Sequence, residues 1–405
     1  MSENEGEFLS YLGITPHLKI LRGCGILPLD PSTSKLKRRF HVFYMRIGLL
    51  LMMLYSLLQI INVYQIRSDI DKVIDSMFLL LTFLDCICKQ IMFLLKPDKI
   101  LEMFEIMKGS SFNQGLEAHR PLFVKINNRT RLLLRFFNQL CLAFCILWGL
   151  IPMISHLKHE PVDLTIWLPF DANKRPQFFI TAAYMCLQTM WCGLNNSTMD
   201  LFIVYLYEQT KTQLYILRTN LENLVRVCQE EARISPCSFT EVLEYRFRGI
   251  IRHYNDVVKF SKINEGIFNG ALLFQFVVSG WIICTTTYRT TNMNPASGEF
   301  LSMIVYMTCI LSEIFLFCFY GNEVASEASN VTIMESAYCM EWEKMPVKYR
   351  SYLIIFMERI KYSIKPKAGK TIPLSLNTFV QVGVTEGSHS KSLTSFDFLK
   401  DRRID

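Results

Sequence analysis

No G-x-S-x-G, P-loop or Cys-x-x-Cys pair occurs in the 405 residues. The commonest signatures of a serine hydrolase, a nucleotide-binding domain and a paired-thiol site are therefore missing. Charge is sparse, at 20% of residues, while 51% are hydrophobic. That balance excludes an ordinary soluble domain of this length. No short apolar leader with a small-residue cleavage site precedes the first long apolar run. The first 39 residues are polar and end on Lys35, Lys37, Arg38 and Arg39, so the first run is expected to act as its own insertion signal. Internal repeats and low-complexity tracts are absent as well. His156 and His159 form a His-x-x-His without a third ligand of fitting spacing. Cys86 and Cys88 are two apart on a helix and face different ways. Neither a metal nor another cofactor is expected, and no enzyme activity.

What is present is apolar length. Roughly 20 residues span the hydrocarbon of a bilayer, and six segments reach that: 40–66, 74–95, 132–154, 178–206, 266–287 and 300–320. The Lys and Arg residues fall unevenly between them. The N-terminal segment 1–39 holds six, the loop after the second span seven, the loop after the fourth nine, and 321–371 eight. The three remaining loops hold two, three and one. Basic loops stay in the cytoplasm, so the N-terminus is read as cytoplasmic. The net charge of +7 then belongs to the membrane's inner face, and nucleic acid is not expected as a partner.

The cytoplasmic loop 208–264 reads as helix. Leu214, Leu217, Leu221, Leu224 and Cys228 recur at three- and four-residue steps. A second helix is expected to start at the capping box Ser238–Glu241 and to carry Phe247, Ile250, Tyr254 and Val257 on one face. The fourth and fifth spans thus continue below the membrane as packed amphipathic helices. None of the thirteen cysteines falls in an external loop, which excludes an external disulfide and leaves them as small apolar packing residues.

Polar residues inside spans are costly and informative. Asp85 and Lys89 are one helical turn apart and can neutralise each other. Asn195, Asn196 and Asp200 lie in the fourth span and Glu313 in the sixth. Hydrogen bonding between helices is the simplest role for them, with an ion path as the alternative. The external halves of the spans are rich in aromatic residues and methionine: Met77 and Phe78, Trp148 and Met153, Phe178, Phe179 and Tyr184, Phe274 and Trp281, and Met303, Tyr306 and Met307. Such side chains can wall a pocket for a small apolar ligand. Ordinary packing and interfacial anchoring predict the same composition.

At the end of the sixth span the chain resembles the insect odorant receptor family. The resemblance rests on the run Phe315-Leu316-Phe317-Cys318-Phe319-Tyr320-Gly321-Asn322-Glu323-Val324. It continues through Glu335-Ser336-Ala337-Tyr338, Glu341-Trp342, Arg350, Met357-Glu358-Arg359 and Ala368-Gly369. Weaker echoes are Trp167-Leu168-Pro169-Phe170-Asp171 and His253 followed by Asn264. The similarity covers nearly the whole chain.

The resemblance implies an all-α polytopic membrane helix bundle with seven spans, assembled as a tetrameric, ligand-gated, non-selective cation channel. It implies a tuning subunit that binds a small volatile apolar odorant, surrounded by membrane lipid. Its partner would be a shared co-receptor subunit in a heterotetramer, in the plasma membrane of olfactory sensory neurons. The segment 321–371 would form a cytoplasmic anchor and the seventh span the pore lining. Here the sequence departs from the pattern: the seventh span begins at 372 but its apolar run stops at 384, and 385–405 is polar and charged. A variant subunit that does not complete the pore is therefore one alternative. A gustatory receptor is another, although Thr378-Phe379 with Gln381 does not match that family's spacing. A G-protein-coupled receptor would need the opposite orientation, and a transporter would need Gly/Pro-broken helices.

Overall fold

The computed structural model describes residues 9–30, 33–113, 116–158, 165–169, 175–291, 298–360 and 364–381. Phe170, Asp171, His159 and the segment from 382 onward lie outside these. The elements in chain order are α1 (Leu9–Leu12), α2 (Thr15–Gly23), α3 (Lys35–Gln65), α4 (Ile70–Leu95), α5 (Pro97–Lys108), α6 (Leu116–Leu157) and α7 (Arg175–Glu222). Then follow α8 (Leu224–Ile234), α9 (Phe239–Thr291), α10 (Gly298–Glu327), α11 (Asn330–Cys339), α12 (Val347–Ile360) and a two-stranded hairpin, β1 (Lys367–Ala368) with β2 (Ile372–Pro373). The chain folds as a helical bundle.

Local chemistry sets several helix starts. The Asp69 carboxylate accepts from the Lys72 amide at the head of α4, and the Ser329 hydroxyl accepts from the Thr332 amide at the head of α11. Pro97 opens α5, where a missing amide proton costs nothing. The capping box before α9 forms as the spacing requires: the Ser238 amide donates to Glu241 at 2.9 Å and the Glu241 amide donates to the Ser238 hydroxyl at 3.4 Å.

Among the described residues, five helices are long and apolar enough to cross a membrane, namely α3, α4, α6, α9 and α10. The helix carrying the expected fourth span, α7, is not one of them. It packs against α6, α9 and α10 and buries Asn195, Asn196, Ser197, Thr198 and Asp200. Polar residues met by protein rather than lipid lower its hydropathy. The opposite pattern holds on α3, where Phe40, Phe43, Leu50, Leu54 and Leu57 are exposed. An apolar face of that size has hydrocarbon as its solvent.

Two cores result. One runs the length of the bundle. The second joins the lower ends of α7 and α9 to α8, α11 and α12 through Leu217, Leu221, Cys228, Phe247, Tyr254 and Phe356. Both expected amphipathic stripes are buried. The first is broken at Asn223, between α7 and α8, rather than running as one helix. The second continues without interruption into the apolar half of α9.

Two glycines of the sequence pattern have steric causes. A Cβ on Gly321 would lie 2.4 Å from Leu374 Cβ and 2.9 Å from its carbonyl oxygen. Gly369 has φ +63°, and its Cβ would meet Leu273 at 2.4 Å. The hairpin therefore docks directly on α9 and α10. The start of the expected seventh span is first this hairpin, and helix begins only at 376 and is described to 381.

A buried polar chain ties α1 to the helices around it. The His253 Nε2–H donates to Gln213 Oε1 at 2.7 Å. The Gln213 amide donates to the Ser10 hydroxyl and the Phe112 carbonyl, and Tyr205 donates to the Ser10 carbonyl. Burial pushes His253 down to about 4, helped by nearby His119. Between that value and the ordinary 6.5 the unfolded chain binds a proton that the folded chain does not. Stability must then fall as pH drops through this window. Thermal unfolding of detergent-solubilised protein should show a loss of about 2 kcal/mol from His253 between pH 7 and pH 5. His253→Gln should remove that share of the dependence and leave the share of His17, which burial also pushes down to about 4. An unchanged slope in that variant would contradict the assignment.

Candidate ligand site

Four helices that cross the bundle meet around a cavity of about 90 Å³. α4 brings Phe78, Leu79, Thr82 and Phe83. α6 brings Phe137, Leu140, Cys141, Phe144, Cys145 and Trp148. α7 brings Thr189, Cys192, Gly193, Asn196 and Ser197. α10 brings Tyr306, Cys309, Ile310 and Glu313. Each set repeats at three or four residues, so each is one helix face.

The wall is mostly aromatic and thiol. Tyr306 lies against Phe78 at 5.3 Å between ring centroids and stacks with Phe144 at 5.8 Å. Its hydroxyl is 2.7 Å from that of Thr82. All four lining cysteines are free. The cavity is below the roughly 300 Å³ of a typical ligand pocket. A ligand larger than this space needs lining side chains to move aside.

The polar floor belongs to a buried ionic cluster. The Lys89 ammonium contacts Asp85 at 2.8 Å and Asp200 at 2.5 Å, and donates to Asn196 Oδ1 at 2.8 Å. Gln275 of α9 donates to Asp200 at 3.2 Å and to Glu313 at 3.4 Å. Asn196 and Glu313 face both the cluster and the cavity. The Asp85–Lys89 pair expected from spacing is thus present, and Asp200 joins it from 111 residues away.

Of the twelve residues singled out by sequence, Phe78, Trp148 and Tyr306 line the cavity. Met77, Met303 and Met307 lie on the same helices but outside the lining, with Met307 Sδ accepting from Thr287. Phe178 stacks on His156 at 3.8 Å, with Phe179 edge-on to both. Tyr184 packs edge-on against Tyr55. Met153 is half-buried on α6, and Phe274 packs into the main core on α9. Trp281 is 39% exposed on that helix, which adds nothing to the lining. Sequence reasoning missed Thr82, Phe83, Phe137, Phe144 and the four cysteines. Stepping back from Trp148 by helical turns would have reached Phe144, Cys141 and Phe137.

The family model described as 7tm Odorant receptor matches residues 69–385. The chain belongs to the odorant receptor family. This odorant receptor is 22% identical over 342 residues to odorant receptor 46a, isoform A, of Drosophila melanogaster, covering 84% of this chain and 87% of that one. It is 20% identical over 404 residues to odorant receptor Or1 of Anopheles gambiae, covering 94% of each. It is also 27% identical over 153 residues to the odorant receptor coreceptor of Aedes aegypti, covering 36% of this chain and 31% of that one. Among solved structures it is similar to the olfactory receptor OR5 of Machilis hrabei in complex with eugenol. There the TM-score is 0.82 at 15% identity, over 95% of this chain and 97% of that one. The fold of the receptor is therefore that of a multi-pass olfactory receptor bundle, and it is not an enzyme.

Lys89→Met in the receptor should strand two carboxylates in the bundle, at a cost of about 3–5 kcal/mol, read as loss of surface expression. Combining it with Asp85→Asn and Asp200→Asn should restore expression. Normal expression of the single variant would show that Lys89 does not hold the cluster.

Proposed function

We propose that the chain is the odorant-binding subunit of a ligand-gated, non-selective cation channel that assembles with a co-receptor subunit in olfactory sensory neurons. The observation that carries this reading is the cavity between α4, α6, α7 and α10. It offers aromatic walls from Phe78, Phe83, Phe137, Phe144, Trp148 and Tyr306, with Asn196 and Glu313 at one end. Such a surface selects a small, mostly apolar molecule by shape and dispersion, with one polar contact at Thr82 and Tyr306 or at the Glu313 end.

The excess of Lys and Arg in the N-terminal segment and in the connections α4–α6, α7–α9 and after α10 supports a cytoplasmic N-terminus. The core joining α7, α8, α9, α11 and α12 then lies in the cytoplasm as an anchor. Ligand binding favours the conducting arrangement only by its differential affinity for it. The four helices around the cavity are placed to supply that difference, because α10 leads directly into α11 and Gly321 contacts Leu374. Similarity to a coreceptor and to a receptor solved with eugenol supports both partners.

The test is whole-cell recording of the chain co-expressed with an insect co-receptor and exposed to a panel of volatiles. Cation currents that need no G protein are expected. Trp148→Ala should weaken the half-maximal response about tenfold, the equivalent of one lost aromatic contact. Trp281→Ala should leave it unchanged. Equal effects of the two would overturn the site, and silence toward every volatile would overturn the channel reading.

A further inference from the structure

The strongest unassigned feature is a basic groove where the apolar half of the bundle ends. Two adjoining cavities of about 650 and 680 Å³ share Asn255, Val258, Lys262 and Arg359. The first is bounded by α9, the end of α12 and the hairpin, and also receives Lys365, Lys367 and Lys370. Five cations face it against one carboxylate, Glu265. Among the described residues none of these five cations is in an ion pair, and four of them are exposed. In the second cavity Lys99 and Lys259 share Glu102, at 3.1 and 2.8 Å. Lys96 is occupied by the Gly266 carbonyl at 2.5 Å.

The location follows from the helices. The apolar run of α4 ends at Leu95, and the apolar half of α9 starts at Gly266. The Lys96–Gly266 contact therefore marks the edge of the hydrocarbon, where lipid phosphates lie. The walls bring these cations to one concave opening, where an anion of multiple charge can meet several of them at once. Arg359 presents a planar fork suited to a phosphate, and the lysines add point charges around it.

We infer that this groove binds a clustered phosphate anion, such as the headgroup of a polyphosphorylated inner-leaflet lipid. A lipid headgroup and a free inositol phosphate share that chemistry. The bound anion would bridge cations from α9, α12 and the segment that carries the hairpin. Anion binding would thereby stiffen the join between the apolar bundle and the anchor.

The experiment uses the full-length receptor purified in detergent, titrated with dioctanoyl phosphatidylinositol 4,5-bisphosphate and separately with inositol 1,4,5-trisphosphate. Binding and thermal protection are both read. Saturable binding is expected, at least tenfold weaker in Arg359→Gln/Lys365→Gln. An equal charge change away from the groove, Arg248→Gln/Arg252→Gln, should leave it unchanged. Tight binding of the lipid alone identifies the membrane as the source, and comparable binding of the trisphosphate identifies a soluble anion. Absence of saturable binding by either probe overturns the inference, as does equal weakening in the two double variants. All four substituted side chains are exposed, so the variants should fold, and gel filtration checks this.

Discussion

The buried ammonium of Lys89 is the point on which the bundle depends. A full charge without water must be met by charge and hydrogen bonds from the protein itself, or it costs several kcal/mol. Lys89 is met by Asp85 on its own helix and by Asp200 and Asn196 on α7. Asp200 is in turn tied to α9 through Gln275, which also reaches Glu313 on α10. Four helices are thus held in one register by groups that cannot slide past each other without stranding a charge. Apolar packing alone, which is nearly indifferent to which lipid-like surface it meets, would not fix that register.

The same cluster makes the floor of the ligand cavity. Above it the lining is aromatic and thiol, so the site has one soft, apolar end and one polar end. On the proposed reading, occupancy at the apolar end would press on Tyr306 and Phe144, which already contact each other. Tyr306 is on the same helix as Glu313, and that helix is followed by α11 of the second core. A ligand would then act on the second core through one continuous helix.

Much of this was legible in the sequence, and the limit has a physical form. Helical periodicity is a local property. The stripes through Leu217 and Phe247, the capping box at Ser238 and the Asp85–Lys89 pair could all be read from spacing. Contacts between distant segments left no local trace. Nothing near Lys89 announces Asp200, and nothing near Cys141 announces that its helix face meets Cys192 and Cys309. Composition along the spans points to their outer halves and no further. Membership of the cavity depends on how far along its helix, and on which helix, each side chain meets its neighbours. Phe178 and Met303 share the lining faces of α7 and α10 but lie three turns and one turn beyond the lining, and Trp281 is on a helix that adds nothing to it, whereas Trp148 and Tyr306 have both face and depth. Gly321 and Gly369 were recognisable as a pattern, and the contacts with Leu374 and Leu273 supply the reason.

The most direct measurement is a structure of the receptor co-expressed with an insect co-receptor and exposed to an activating volatile. Ligand density is expected between Phe78, Phe144, Trp148 and Tyr306, above Glu313, with the Lys89 cluster intact beneath it. Density against Phe178 and His156, or between α9 and the lipid at Trp281, with the cavity unchanged, would contradict it.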